Sequence, residues 1–424
     1  MKTFAIVLFA LTYILMIALP KVRHWVALGT AVIFLVAGVL PWGEVFSVID
    51  WNVLLMIFGT MLLVEPFTRS GMPARIAEKL LDWSPNVMWA TIFMSVFSGV
   101  VSAFIDNVAT VLMVAPVGLA VCKKLKISPV PMILSIAVSS NLQGAATLVG
   151  DTTSIMLAGK DAANMTFLDF FWMQGRPGIF FAVELGALAT VPIMMFLFRK
   201  EKEKVSSEDK TPVNDPVPGI MMALVVALLI AASFWRDKPD ITNGVICVSC
   251  GLITLLYELI RGKKDVAKAA VAGLDVDTVL LLAGLFVIIG GVKQVGLIDD
   301  LANVITAVGG SNLFLLFTVV VWGSVVISAF IDNIPYVATM LPVLAGVAAG
   351  IGGNCANLLY FGLLTGATLG GNITPIGASA NIAGVGMLRK EGYEVSFKDF
   401  IRIGVPFTLA AVTVGYLYLW FVWR

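Results

Sequence analysis

Three aspartates stand alone in long apolar runs. Asp106 is the only Asp, Glu, Lys, Arg or His between residues 83 and 122, Asp332 the only one between 301 and 388, and Asp151 the only one between 127 and 159. Even on lenient insertion scales a charge at the bilayer centre costs about 2.5–3.5 kcal/mol. Two of the three lie in the same hexapeptide, SAFIDN, at 102–107 and again at 328–333. A carboxylate beside an Asn in such surroundings can hold a cation or a proton, or cap a helix that starts inside the membrane. The roles are compatible, because a mid-membrane helix N-terminus is itself an ion site. We therefore take Asp106, Asn107, Asp332 and Asn333 as two equivalent positions for Na⁺ or H⁺. Around them we group Thr110, Asn141, Thr147, Gly150, Asp151 and Thr152 in the first half of the chain, and Asn372, Thr374, Gly377, Ser379 and Asn381 in the second. The alternative role of these polar residues is to satisfy the backbone where a helix breaks. No Lys or Arg falls in these stretches, so an anion would rest on backbone N–H groups and Asn or Thr side chains. The carboxylates suit Na⁺, H⁺ or a neutral hydroxylated solute better.

The elements that must position these residues are helices in a membrane. The chain has 424 residues, 59% hydrophobic and 13% charged, against roughly 25% charged in a soluble domain. The runs 3–19, 25–43, 87–105, 217–235 and 403–423 approach or exceed the ~17–25 residues of a spanning helix. The first is read as a span, since it enters Pro20-Lys21-Val22-Arg23 without a small-x-small cleavage site. The expected fold is an all-α polytopic membrane protein. A net charge of +1 gives no reason to expect nucleic acid. His24, the only histidine, reads as an interfacial residue, and Cys247 and Cys250 as small packing residues inside a span. A transition-metal site and general acid–base enzymology both lack the residues they need. Glu184, in another apolar run, reads as a helix–helix hydrogen-bond partner.

The chain repeats itself. SAFIDNVATVLMVAPV at 102–117 returns as SAFIDNIPYVATMLPV at an offset of 226. Residues 142–159 match 369–386 through shared Leu, Gly, Thr, Gly, Ile and Gly at an offset of 227, and Gly59 and Gly71 match Gly284 and Gly296 at 225. Matches in one order at nearly one offset indicate duplication. We expect a first repeat over 1–198, with a re-entrant hairpin near 86–121 and a broken helix near 128–160. A charged linker over 199–216 follows. The second repeat covers 217–424, with a hairpin near 310–349 and a broken helix near 355–388. Ten spans with the N- and C-termini outside place most of the 28 Lys and Arg in inner loops, the linker among them. Five spans per repeat invert the second half, an arrangement common in secondary transporters.

With these motifs assembled, the chain resembles the ion-transporter superfamily. Within it the resemblance is to the branch of arsenite efflux permeases, NhaD-type sodium/proton antiporters, the melanosomal P protein and bacterial citrate-transporter-like proteins. The match rests on the Asp-Asn hairpin tips and on ATLVGDTTS and TPIGASAN in the broken helices. It implies a cation-coupled carrier of a small solute, an arsenite-like oxyacid or a small carboxylate such as citrate, or else a sodium/proton antiporter. It also implies a homodimer in the inner membrane, with a transport unit moving elevator-fashion against a scaffold. Related dicarboxylate symporters carry Ser-Asn-Thr at the tips. Asp106-Asn107-Val108 and Asp332-Asn333-Ile334 depart from that pattern, which argues against a dicarboxylate carrier of that kind.

Overall fold

The computed structural model describes residues 1–160, 162–205, 211–235, 237–309, 312–351 and 355–424. Part of the expected linker (206–210) and of the second hairpin's entry (310–311) lies outside the described residues. The first half runs α1 (Lys2–Ala18), α2 (Arg23–Val36), α3 (Val45–Val48), α4 (Trp51–Arg69), α5 (Met72–Asp82), α6 (Val87–Ser102), α7 (Asn107–Leu125), α8 (Val130–Gly144), α9 (Thr152–Leu157) and α10 (Ile179–Leu197). The second runs α11 (Val217–Ser233), α12 (Thr242–Ile260), α13 (Lys264–Ala272), α14 (Val276–Gln294), α15 (Leu297–Gly309), α16 (Leu313–Ser328), α17 (Asn333–Ile351), α18 (Ala356–Gly370), α19 (Ser379–Lys390) and α20 (Phe397–Trp423). The one sheet among the described residues is a two-stranded ribbon, β1 (Trp172–Met173) and β2 (Arg176–Pro177).

Among the described residues seven helices are long and apolar enough to cross a membrane, or eight if the bent pair α1–α2 counts as one. Four of the five apolar runs are helical to within three residues of their ends; 25–43 is the exception, its α-helix stopping seven residues short. There α2 ends at Val36, because Gly38 takes a positive φ of 72° and Val39 N–H turns back to the Phe34 carbonyl at 2.8 Å. Pro41 then bars any continuation.

Recurrent residues do recurrent work. Gly71 and Gly296 each adopt φ near 75° where α4 turns into α5 and α14 into α15, a conformation that favours glycine. Gly59 lets α4 cross α12, since a Cβ there would lie 2.3 Å from the Cys247 backbone, and Gly284 lets α14 cross α2 against Ala27 at 2.9 Å. Cys247 and Cys250 are buried at the first crossing as packing residues. Asp50 and Asp275 cap α4 and α14, and Asn86 and Asn312 cap α6 and α16. Helices α4, α12, α14 and α2 form one set of contacts. Helices α6, α7 and α8 pack together, as do α16, α17 and α18, and α8 meets α19 between the two groups.

One contact swaps its partners between the halves. Gly99 of α6 leaves room for Gln143 of α8, whereas in the second half Gly370 of α18 leaves room for the Val325 backbone of α16. Gln143 then reaches Glu184 of α10 at 3.1 Å, a helix–helix hydrogen bond.

Candidate functional site

Each SAFIDN segment ends one helix and caps the next. Helix α6 stops at Ser102, and Asp106 Oδ1 accepts the Val108 and Ala109 N–H groups at 3.0 and 3.1 Å, which starts α7. At the second tip Asp332 Oδ1 accepts the Ile334 N–H at 3.0 Å. Against each tip lies a broken helix: α8 stops at Gly144 and resumes as α9 at Thr152, and α18 stops at Gly370 and resumes as α19 at Ser379. Thr147 donates to the Ala103 carbonyl and Thr374 to that of Ala329, so both threonines tie break to tip. Three carbonyl oxygens close on each break glycine. A Cβ on Gly150 would lie 2.5, 2.6 and 2.8 Å from those of Gly144, Ser102 and Ala103. On Gly377 it would lie 2.6, 2.8 and 2.9 Å from those of Gly371, Ala329 and Ser328. Only glycine fits at either place.

The asparagines link the two units. Asn107 donates to Asn141 Oδ1 at 3.0 Å, and Asn141 donates to the Thr368 carbonyl at 2.7 Å and to Asn372 Oδ1 at 3.1 Å. Asn372 in turn donates to the Val138 carbonyl at 2.8 Å. From the other tip, Asn333 reaches Asp151 Oδ2 at 3.5 Å. Thr153 donates to that same oxygen at 2.9 Å and meets Thr368 at 3.2 Å. One buried polar chain thus runs from hairpin tip to hairpin tip through Asp151. The site residues it uses are buried, where each hydrogen bond that is lost leaves a costly unpaired group.

A cavity of about 380 Å³ opens beside the first tip, lined among others by Asp106, Asn107, Asp151, Thr152, Asn333 and Ser379. Of the remaining candidates, Thr110, Asn141, Thr147, Gly150, Asn372, Thr374, Gly377 and Asn381 lie behind this wall. Thr110 packs inside α7, and Asn381 holds the Gly371 and Thr374 carbonyls at 3.1 and 3.3 Å. Sequence reasoning missed Glu65 and Asp275, which also line the cavity, and the partners Thr153 and Thr368. A repeat signal for Asp275 existed: it matches Asp50 at the offset of 225. No group of three or more His, Cys, Asp or Glu is placed to hold a metal ion among the described residues. A lone Na⁺ would draw on Asp106 with Asn and carbonyl oxygens, the hard ligands it prefers.

No Lys or Arg lies within the hairpin and broken-helix stretches 83–122, 127–159 and 301–388, as the sequence shows, but one reaches the second tip from elsewhere: Arg23 at the start of α2 donates to Asp332 Oδ2 at 2.6 Å, with Ser379 Oγ at 3.4 Å from the same oxygen. The first residue of α2, 309 positions away in the chain, brings this arginine to the tip. His24, expected at an interface, is buried in α2 with Nε2 3.5 Å from Asp277.

A second cavity, of about 160 Å³, lies at the positions matched at the offset. Asp50, Val53, Phe286, Ile289 and Ala338 stand where the first cavity has Asp275, Thr278, Met61, Val64 and Leu112. It is mostly apolar and reaches neither Asp332 nor Asn333.

Residues 13–366 match the citrate transporter family CitMHS. The uncharacterized transporter Mb2703 of Mycobacterium bovis is 30% identical over 99% of this chain and 98% of its own length. The P protein of Mus musculus is 28% identical over 88% of this chain, which spans about half (54%) of that protein. In fold the chain is similar to the YdaH transporter of Alcanivorax borkumensis (TM-score 0.61, 13% identity, 87% of this chain and 84% of that one). It is also similar to MtrF of Neisseria gonorrhoeae, described as one of a class of antimetabolite efflux pumps (TM-score 0.54, 14% identity, 87% and 80%). These matches place the hairpin tips and the broken helices in a membrane transport protein and not an enzyme: the chain belongs to the CitMHS citrate transporter family, within the ion-transporter superfamily.

Proposed function

We propose that this transporter couples the movement of a cation, H⁺ or Na⁺, to that of a small polar or anionic solute by alternating access. The solute class is an arsenite-like oxyacid or a small carboxylate such as citrate. The observation that carries the reading is the pair of unequal cavities at matched positions, about 380 and 160 Å³. If the two halves exchange roles, the open cavity closes and its counterpart opens, which is alternating access in an inverted-repeat carrier. The hairpins and broken helices then move as one body against α2, α4, α12 and α14, elevator-fashion. In the membrane the linker and the larger cavity face the cytoplasm, both termini face outward, and two copies pair through the stationary helices.

Chemistry narrows the coupling. Glu65, Asp106, Asp151 and Asp275 line the larger cavity, with no Lys, Arg or His in its wall among the described residues. An anion enters such a cavity only with protons or cations that offset this charge. That same acidity favours a second reading, Na⁺/H⁺ exchange with no other solute. Purified protein in proteoliposomes with an internal pH dye separates them. Proton movement on Na⁺ alone, lost in Asp106→Asn, supports exchange. Silence until arsenite or citrate is added supports the solute carrier, and silence throughout overturns both.

A further inference from the structure

Arg23 stands at an unfavourable end of its helix. The positive pole of α2 lies at its N-terminus, and no acidic residue occupies the first turn to offset it. What holds the guanidinium there is Asp332, 309 positions away in sequence, at 2.6 Å in a partly buried pair with 23% and 17% of the side chains exposed. Asp275 and Asp277 add negative potential at the same arginine, and His24 beside it faces Asp277. Asp151 is the carboxylate that approaches Asp332 from the broken helix. The hold is double, because Tyr13 of α1 donates to the Pro335 carbonyl at 2.8 Å one turn into α17.

Among the described residues the matched positions give the first hairpin no such hold. The two helix crossings match Ala27 to Cys247, an offset that pairs Arg23 with Asn243 and Tyr13 with Ser233. Asn243 accepts from Lys238 at 3.2 Å, and Ser233 bonds the Leu229 carbonyl at 2.9 Å. Neither bond reaches α6 or α7. Among the described residues both hydrogen bonds to Asp106 fall on Oδ1, whereas both oxygens of Asp332 are engaged.

We propose that Arg23 is a tethered counter-ion: its guanidinium holds at Asp332 the place that a free cation takes at Asp106. It rests on the reading of the hairpin carboxylates as cation sites given above. In this state one tip per chain is open to a free cation and the other is filled by the protein itself. Sliding the hairpins against α2 pulls Asp332 away from Arg23, and a proton or cation from solution then replaces the guanidinium. Arg23 is thus a positioning residue that sets how many free cations each state binds.

The test uses dicyclohexylcarbodiimide, which modifies protonated carboxyl groups in apolar surroundings and spares ion-paired carboxylates. Labelled full-length protein is digested and the two tip peptides are compared by mass spectrometry. We expect Asp106 labelled and Asp332 spared in the wild type, Asp332 labelling raised at least tenfold in R23Q, and protection restored in R23K. Equal labelling of the two aspartates in the wild type overturns the proposal without any variant. So does an Asp332 that stays unlabelled in an R23Q protein that is monodisperse and still labelled at Asp106. Protection of Asp106 by added Na⁺ is read in the same samples and tests the cation-site reading separately.

Discussion

The two hairpins share six consecutive residues and meet different surroundings. At the first, Asp106 faces a cavity of about 380 Å³ walled by three more carboxylates. At the second, Asp332 is closed off by an arginine from another part of the chain. Local sequence fixes the cap, the turn and the break, which are alike in both halves. Charge state and access are set by whatever packs against the tip, and there the halves diverge. A duplicated motif thus gives the same helix cap twice without giving its two carboxylates the same surroundings.

The largest effects are expected where the halves are alike. Gly150→Ala and Gly377→Ala each push a methyl group to within 2.8 Å of at least two carbonyl oxygens. Over-packing of this kind costs ~1–3 kcal/mol when side chains can yield, and here the neighbours are backbone. Both variants are expected to lose the monodisperse gel-filtration peak to the same degree. A marked inequality would show that one break is looser than its mate. Next comes the point of divergence. Asp106→Asn should lower cation-driven transport at least a hundredfold, about 2.7 kcal/mol. Asp332→Asn should lower it about tenfold, since it removes a partner already neutralised in this state. Initial rates in proteoliposomes decide, and equal losses would erase the distinction between the tips.

The asparagines give a smaller contrast. Asn107→Ala breaks a 3.0 Å bond and leaves Asn141 Oδ1 without that donor, a loss of about 1–3 kcal/mol for a buried polar group. Asn333→Ala removes only a 3.5 Å contact to Asp151 and should cost under half as much. Thermal unfolding in detergent measures both, and a larger loss in Asn333→Ala reverses the ranking.

Much of this was legible in the sequence because it is local or repeated. SAFIDN marked both tips, Gly150 and Gly377 both breaks, and Gly59 and Gly284 both crossings. The asymmetry was not legible. Arg23, beside Lys21 at the end of an apolar run, has the form of a topology signal, and nothing within α2 points to a residue 309 positions away. Thr153 and Thr368 were hidden for a related reason. They meet across a contact between the halves, and at the repeat offset Thr368 stands where the first half has Asn141, so identity matching passes over the pair. Span lengths were misjudged where a glycine ended the helix inside an apolar run, as at Gly38, because hydropathy does not register a left-handed turn.

The mildest prediction concerns the arms that lead into the hairpins. Residues 211–215 strap the first arm. Thr211 N–H donates to Glu78 of α5 at 2.8 Å, Asn214 N–H donates to the Ser70 carbonyl at 2.9 Å, and Asp215 takes Lys263 at 3.0 Å and Tyr257 at 3.1 Å. The second arm, α15, has instead an exposed pair, Lys2 with Asp300, both about half exposed, a type that contributes about 0–1 kcal/mol. Burial works to raise the Asp215 carboxyl, but the Val217 N–H, Lys263 and Tyr257 outweigh it and hold the group below its ordinary value. A depressed folded-state value means stability that is complete above the unfolded value of ~3.9 and lost only as pH falls through the lower folded one. Asp215→Asn should therefore destabilise by about 1 kcal/mol at pH 7 and equally at pH 5, with the difference from wild type closing below pH ~4. Lys2→Ala should stay within about 0.5 kcal/mol at every pH. Melting curves at three pH values suffice. A difference for Asp215→Asn that already shrinks between pH 7 and 5 would mean that the strap is not held by this carboxylate, and that the two arms are more alike than their contacts indicate.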